Sequence, residues 1–198
     1  MSIHDFLEGR RVRFETLLHR PAHSAAKLAN SVHVPGRLVA KAVLVRAGEG
    51  FALAVLPATH RVDLPRLGLA LGVESVRLAT EAEVVSTFAD CEPGALPPFG
   101  RLYGLRTVVD CSLAAGPDIV FDANTHHDGV RMKFHDFEAL ERPSRARFAE
   151  PIAPRLRRPD PRRAGGTRLS ASTDCRDQPA AGPDLVKRRS SLDLSQSG

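Results

Sequence analysis

The chain has 198 residues, 42% of them apolar, with no Trp and only 5% aromatic side chains. That length supports one domain with a sizeable core, and no apolar run approaches the roughly 18 residues that a membrane span needs. The net charge of +5 is uneven: residues 151–198 hold ten Lys/Arg against five Asp/Glu, while residues 1–150 hold eighteen of each, so composition gives no ground for calling residues 1–150 a general nucleic-acid binder.

The predicted elements run in order. Ser2 caps a short helix over residues 2–8, which Gly9 stops. Val12, Phe14 and Thr16 alternate with Arg13, Glu15 and Leu17, a period of two that reads as a strand, which Pro21 breaks. Ser24 caps a second helix to about Val32, with Ala25, Leu28, Ala29 and Val32 on one face. Leu38 to Arg46, an apolar run rich in β-branched residues and interrupted by Lys41, and Phe51 to Leu56, a second apolar run, flank a Gly-rich turn, the pattern of a hairpin at the centre of a sheet. Asp63 caps a helix ending near Gly72, and Val73 to Leu78 reads as a strand. Thr80 and Glu83 have the spacing of a capping box for a helix to about Phe88. Strands follow at Leu105 to Val109, Ile119 to Phe121 and Val130 to Phe134, then a short helix from Asp136 to Leu140. Interleaved helices and hairpins imply a mixed α/β sheet with outer helices. Beyond Pro151, five arginines and two prolines between Arg155 and Arg163 open a tail too polar to offset its ordering entropy, and it is expected to be disordered.

Between the fourth helix and the next strand lies Cys91-Glu92-Pro93-Gly94-Ala95-Leu96-Pro97-Pro98-Phe99-Gly100. Proline removes N–H donors and fixes φ, while glycine opens backbone conformations closed to other residues. The result is either an ordinary turn or a stiff loop whose remaining N–H groups are aimed outward, an arrangement suited to a carbonyl or oxyanion. Three cysteines, Cys91, Cys111 and Cys175, lie far apart with no Cys-x-x-Cys pair, which argues against a disulfide framework or a structural zinc site and fits a reducing cytosol. No basic region followed by an apolar one opens the chain, so a cytoplasmic location is expected.

Glu92 to Gly100 resembles the signature loop of the YbaK-type aminoacyl-tRNA editing family, relatives of the editing domain of bacterial prolyl-tRNA synthetase. Val39-Ala40-Lys41-Ala42-Val43-Leu44-Val45, Leu53 to Ala58 leading to Arg61-Val62-Asp63-Leu64, and Phe121-Asp122-Ala123-Asn124-Thr125-His126 agree with it in order and spacing. The resemblance covers roughly residues 10 to 150. It implies a curved, partly closed mixed sheet, an editing domain over residues 1–150 and a separate basic tail over 151–198.

It also implies hydrolysis of the ester of a mischarged tRNA by a free-standing enzyme. Lys41 falls on the family's functional lysine, expected to hold the terminal adenosine and its phosphate. His126 falls at the amino-acid pocket, where it would orient the ester or touch the aminoacyl group. Backbone N–H groups at Gly94, Ala95 and Leu96 would position the ester carbonyl and the attacking water. Leu28, Val43, Leu96, Pro97 and Thr125 are the expected substrate-binding residues. Because an aminoacyl ester is already a reactive acyl donor, positioning and oxyanion stabilisation suffice without a strong protein base. Nothing marks Cys91 as an activated nucleophile, and Asp110 and Asp136 read as turn and cap residues.

Small aliphatic walls favour Ala, Ser, Thr or Cys as the aminoacyl group. The expected partner is the acceptor end of an aminoacyl-tRNA, with a synthetase as a further candidate, and with no cofactor, metal, membrane or DNA. Two positions depart from the family pattern: Asn124 and Asp90 each stand where a glycine is usual, and Asn tolerates left-handed backbone. The competing reading is a non-catalytic module that binds a tRNA end or a nucleotide.

Overall fold

The computed structural model describes residues 2–152, so the expected tail lies outside the described residues. The hairpin that dominates the pattern is the centre of the fold. Strand β2 (Ala40–Ala47) pairs antiparallel with β3 (Gly50–Pro57) along its whole length, from Ala40↔Pro57 to Ala47↔Gly50. Gly48, at φ +58°, makes the turn. Successive side chains point to opposite faces, and both faces are buried, which is why the two strands read as continuous apolar runs. Ala40, Leu44, Leu53 and Val55 enter one core with Phe99, Phe121 and Phe137. Val45, Ala52, Ala54 and Leu56 enter a second with Leu67 and Phe148.

This hairpin sits inside a five-stranded sheet of order β5-β2-β3-β6-β9, where β5 is Val76–Leu78, β6 Arg106–Asp110 and β9 Ser144–Ala146. β6 joins β3 in parallel and β9 joins β6 in parallel, so the sheet is mixed, as expected. A second, antiparallel sheet has the order β1-β8-β7, from Phe14–Leu18, Asp128–Lys133 and Asp118–Asp122. The two meet at one parallel bridge, Val39↔Val120, where the Val120 N–H donates to the Leu38 carbonyl at 2.9 Å. A third apolar cluster of Ala22, Leu28, Val39 and Val120 surrounds that joint. The five-stranded sheet itself remains open, ending at β5 and β9. The expected partial closure is therefore not made by strand pairing.

The predicted caps are present. Ser2, Ser24 and Asp63 accept backbone N–H bonds at the starts of α1 (Ile3–Gly9), α2 (Ala25–Ser31) and α3 (Leu64–Leu71). Thr80 and Glu83 close a capping box on α4 (Glu81–Thr87), and α5 spans Phe134–Glu141. Strand β5 is shorter than expected, because the Val73 N–H caps α3 by donating to the Gly68 carbonyl. Also outside the sequence reading are β4 (His60–Val62), which pairs with β10 (Ala149–Pro151), and β9. Three-residue strands are too short to show a period, and their partners lie far along the chain.

Candidate functional site

The Pro/Gly loop is held at both ends. Phe99 is fully buried, its ring packed edge-on against Phe6, Phe121 and Phe137. The Glu92 N–H donates to the Asn124 carbonyl at 2.8 Å, and the Ala95 N–H donates to the Glu92 carbonyl at 2.9 Å. The second bond is a turn and removes Ala95 from the expected set of outward donors. The N–H groups of Gly94 and Leu96 have no acceptor among the described residues. Gly94 has φ +95°, a value a side chain would strain. Pro97 is buried behind the loop.

His126 lies beside this glycine and is buried. Its Nδ1 is 3.2 Å from the Ala22 carbonyl and its Nε2 is 3.0 Å from the Pro93 carbonyl. Both contacts are hydrogen bonds only when the ring carries two protons, because a neutral imidazole donates once. Neither nitrogen is left to face a substrate, so the imidazole links the 19–23 segment to the signature loop. The His126 backbone N–H donates to Glu92 Oε2 at 2.7 Å, a residue to which the sequence reading gave no role. The Thr125 hydroxyl accepts the N–H groups of His127 and Asp128, a local turn bond.

Asn124 adopts the left-handed backbone expected of it, with φ +68°. Its Oδ1 accepts the Ile3 N–H at 3.1 Å, and its Nδ2 donates to Cys91 Sγ at 3.2 Å and Tyr103 Oη at 3.4 Å. Burial pushes the Cys91 thiol up from its ordinary value, the wrong direction for a nucleophile. Asp90 is exposed at the mouth of the loop.

Lys41 sits half-buried in β2, opposite Leu56, with no hydrogen bond or ion pair among the described residues. Burial lowers its pKa. Two residues on, β2 borders a cleft of about 520 Å³ lined by Ala42, Val43, Leu78, Val84, Gly94 and Leu96, among others. It exists because β5 covers only Val45 to Ala47 of β2. The last bond on that edge runs from the Ala79 N–H to the Leu44 carbonyl at 3.0 Å. Since antiparallel pairing alternates, the backbone N–H and C=O of Ala42 also point to this open edge. Val43, Gly94 and Leu96 thus share one cleft. Leu28 does not line it; it is fully buried near the Val39–Val120 joint.

One acid stands out that the sequence reading passed over. Asp122 ends β7 at 5% exposure, and its carboxyl makes no hydrogen bond among the described residues, with Oδ1 a buried atom lacking any partner. Burial raises it to about 7, and the nearby His126 works in the opposite direction. The available signal was an aspartate terminating the apolar run Ile119-Val120-Phe121.

The fold matches solved structures. A candidate trans-editing enzyme for prolyl tRNA synthetase superposes with a TM-score of 0.67 at 21% identity, covering 75% of this chain and 94% of that one. A hypothetical protein gives 0.69 at 19%, covering 75% and 99%. Among curated relatives, the proline–tRNA ligase of Xylella fastidiosa (strain Temecula1) is 32% identical over 97 residues, 49% of this chain and 17% of the ligase. That of Xanthomonas oryzae pv. oryzae (strain MAFF 311018) is 37% identical over 84 residues, 42% of this chain and 15% of the ligase. The chain therefore spans only a small part of these relatives. Residues 19–140 match the aminoacyl-tRNA editing domain, and the chain belongs to that family. No helix of the described residues is long and apolar enough to cross a membrane.

Proposed function

We propose that this chain is an aminoacyl-tRNA deacylase, hydrolysing in trans the ester of mischarged tRNA that carries a small amino acid. The observation that carries the reading is the pairing of the editing-domain match with a stiff loop that leaves the Gly94 and Leu96 N–H groups without acceptors. Those donors suit the oxygen of a tetrahedral intermediate, since fixed N–H groups need no reorganisation as charge develops. Lys41, a half-buried cation with no partner among the described residues, one position before the cleft residue Ala42 on β2, suits the phosphate of the terminal adenosine. Val43 and Leu96 supply aliphatic walls that exclude large side chains sterically and discriminate weakly among small ones. His126 holds the loop in shape rather than taking a proton from water. A loop so fixed, acting on a reactive ester, needs no protein nucleophile.

The likeness to a trans-editing enzyme along 94% of that neighbour supports action on tRNA already released by its synthetase, and the proline–tRNA ligase relatives make tRNA charged with the wrong amino acid for proline the first substrate to try. Such a substrate arises where translation runs, which supports a cytoplasmic location. The test is deacylation of a panel of tRNAs charged with Ala, Ser, Thr, Cys and Pro by wild type and Lys41→Ala. Turnover of one or two small aminoacyl-tRNAs, lost in the variant, is expected. Binding without turnover of any member would sink the enzyme reading.

A further inference from the structure

Three arginines from distant parts of the chain line one hollow of about 330 Å³. Arg10 closes α1, Arg101 follows the signature loop, and Arg142 closes α5. All three are exposed. None of their guanidinium groups has a hydrogen bond or an ion pair among the described residues. By contrast, Arg61, Arg66, Arg77, Arg131 and Arg145 each hold a carboxylate. Arg10 lies over the Phe6 ring, 5.5 Å from its centroid, and that ring packs on Phe99 of the loop.

Glu141 is the one acid lining the hollow, and it does not answer the three cations. It is 2% exposed and accepts from the Thr107 hydroxyl and the Arg101 backbone N–H. Burial pushes its carboxyl up from the ordinary value. Three like charges gathered at one surface repel one another unless an anion sits between them. Arg142 carries a further cost. α3 and the 3-10 turn at Gly100–Tyr103 end on left-handed glycines, Gly72 and Gly104. α5 ends in the same conformation on Arg142, at φ +50°, where glycine is the favoured residue. The dipoles at the ends of α1 and α5 favour a cation, which accounts for Arg10 and Arg142 but not for Arg101.

We infer that this hollow binds a backbone phosphate of the tRNA whose acceptor end enters the cleft, a reading that rests on the deacylase function above. A guanidinium presents a planar fork of donors that matches phosphate oxygens. The signature loop joins the two sites. Gly94 and Leu96 border the cleft, and Arg101 borders the hollow. Gly94 and Arg101 are seven residues apart, so at most about 25 Å separates them. A nucleic-acid strand carries a phosphate every few ångströms and bridges that distance. Residues 1–150 are neutral overall, so a local cluster, not bulk charge, engages the RNA. Lys41 takes the terminal phosphate, and the arginines take one further down the same arm.

The experiment measures binding of uncharged tRNA and deacylation of charged tRNA across a range of salt. It compares the full chain with Arg10→Gln, Arg101→Gln, Arg142→Gln and the triple variant. Each single substitution weakens tRNA binding by roughly 3- to 10-fold, and the loss falls on KM. The triple variant lowers the salt slope of log Kd by about one, the loss of one phosphate contact. The loss is confined to substrates that carry the arm: an aminoacyl-adenosine, with no phosphate, is cleaved alike by all. Arg142→Gly separates binding from folding, because it relieves the left-handed backbone and raises the melting temperature while tRNA affinity falls. Inorganic phosphate is expected to compete no better than chloride at equal ionic strength; stronger competition would assign the hollow to a free anion and overturn the RNA reading. Unchanged affinity and slope in folded variants overturn it as well. A wild type that binds tRNA through these arginines and cleaves no charged tRNA overturns the deacylase function and leaves this site standing.

Discussion

Asp110 and Asp122 occupy the same place in neighbouring pieces of the fold. Each is the last residue of a five-residue strand, β6 and β7, and each is nearly inaccessible, at 3% and 5% exposure. Their surroundings are opposite. Although burial works against it, the hydrogen bonds from Ser112, Phe148 and Ala149 hold the Asp110 carboxyl below its ordinary value. Asp122 has no such bonds, and burial alone carries it up to about 7. One aspartate ties the chain's 146–149 segment to the sheet. The other is a buried carboxyl whose Oδ1 has no partner. Burial of an acid therefore says little until its donors are counted.

The largest effect that sharpens this contrast is in stability. Asp110→Ala leaves the Phe148 and Ala149 N–H groups without their acceptor, and a loss of roughly 3–5 kcal/mol is expected by urea denaturation. Turnover per folded molecule should be unchanged; if it falls with stability held, Asp110 belongs to the site after all. Next, Lys41→Ala should lower deacylation by roughly 100-fold or more, with a melting temperature close to wild type, because the ammonium has no partner to lose.

The two aspartates also differ in the sign of their pH dependence. For Asp110 the folded value lies below the unfolded one near 3.8, so its contribution is present above that pH and is lost as pH falls through the folded value. For Asp122 the folded value lies above, so its ionised form disfavours the fold as pH rises from about 4 to about 7. Asp122→Asn should therefore gain on wild type as pH rises, by roughly 1–3 kcal/mol between pH 5 and pH 8, measured by denaturant melts. An equal difference at both pH values would mean that Asp122 is not buried in charged form. Smallest of all, Cys91→Ser should change kcat by no more than about twofold, since a thiol pushed up by burial supplies no thiolate.

Much of this fold was legible from periodicity and caps. The β2–β3 hairpin, the helices capped by Ser24, Asp63 and Thr80, and the left-handed Asn124 all follow from local chemistry. What local chemistry cannot supply is pairing over long distance: β4 with β10 and the parallel β9 depend on partners dozens of residues away. The site divides the same way. Lys41 announces itself as a charge within an apolar strand, and the loop by its prolines and glycines. The use of the Thr125 hydroxyl by its own loop, the capture of both His126 nitrogens and the use of the Ala95 N–H are facts about where a side chain or donor points, and residue type does not encode direction. Asp122 was visible as an acid at a strand end, but so was Asp110, and only the three-dimensional donor count separates them.

β2 offers eight residues along its outer edge, and β5 takes three of them. The mouth of the cleft is what remains, so its width is set by the length of a neighbouring strand rather than by any residue that touches a ligand. Lengthening β5 by three pairs beyond Leu78 would bring Ala42 into the ladder, while shortening it would widen the entrance without altering Lys41 or the Gly94 loop. Ligand size can thus be tuned by insertion or deletion at the Ala79–Thr80 junction, a route that leaves the chemistry untouched and is open to engineering.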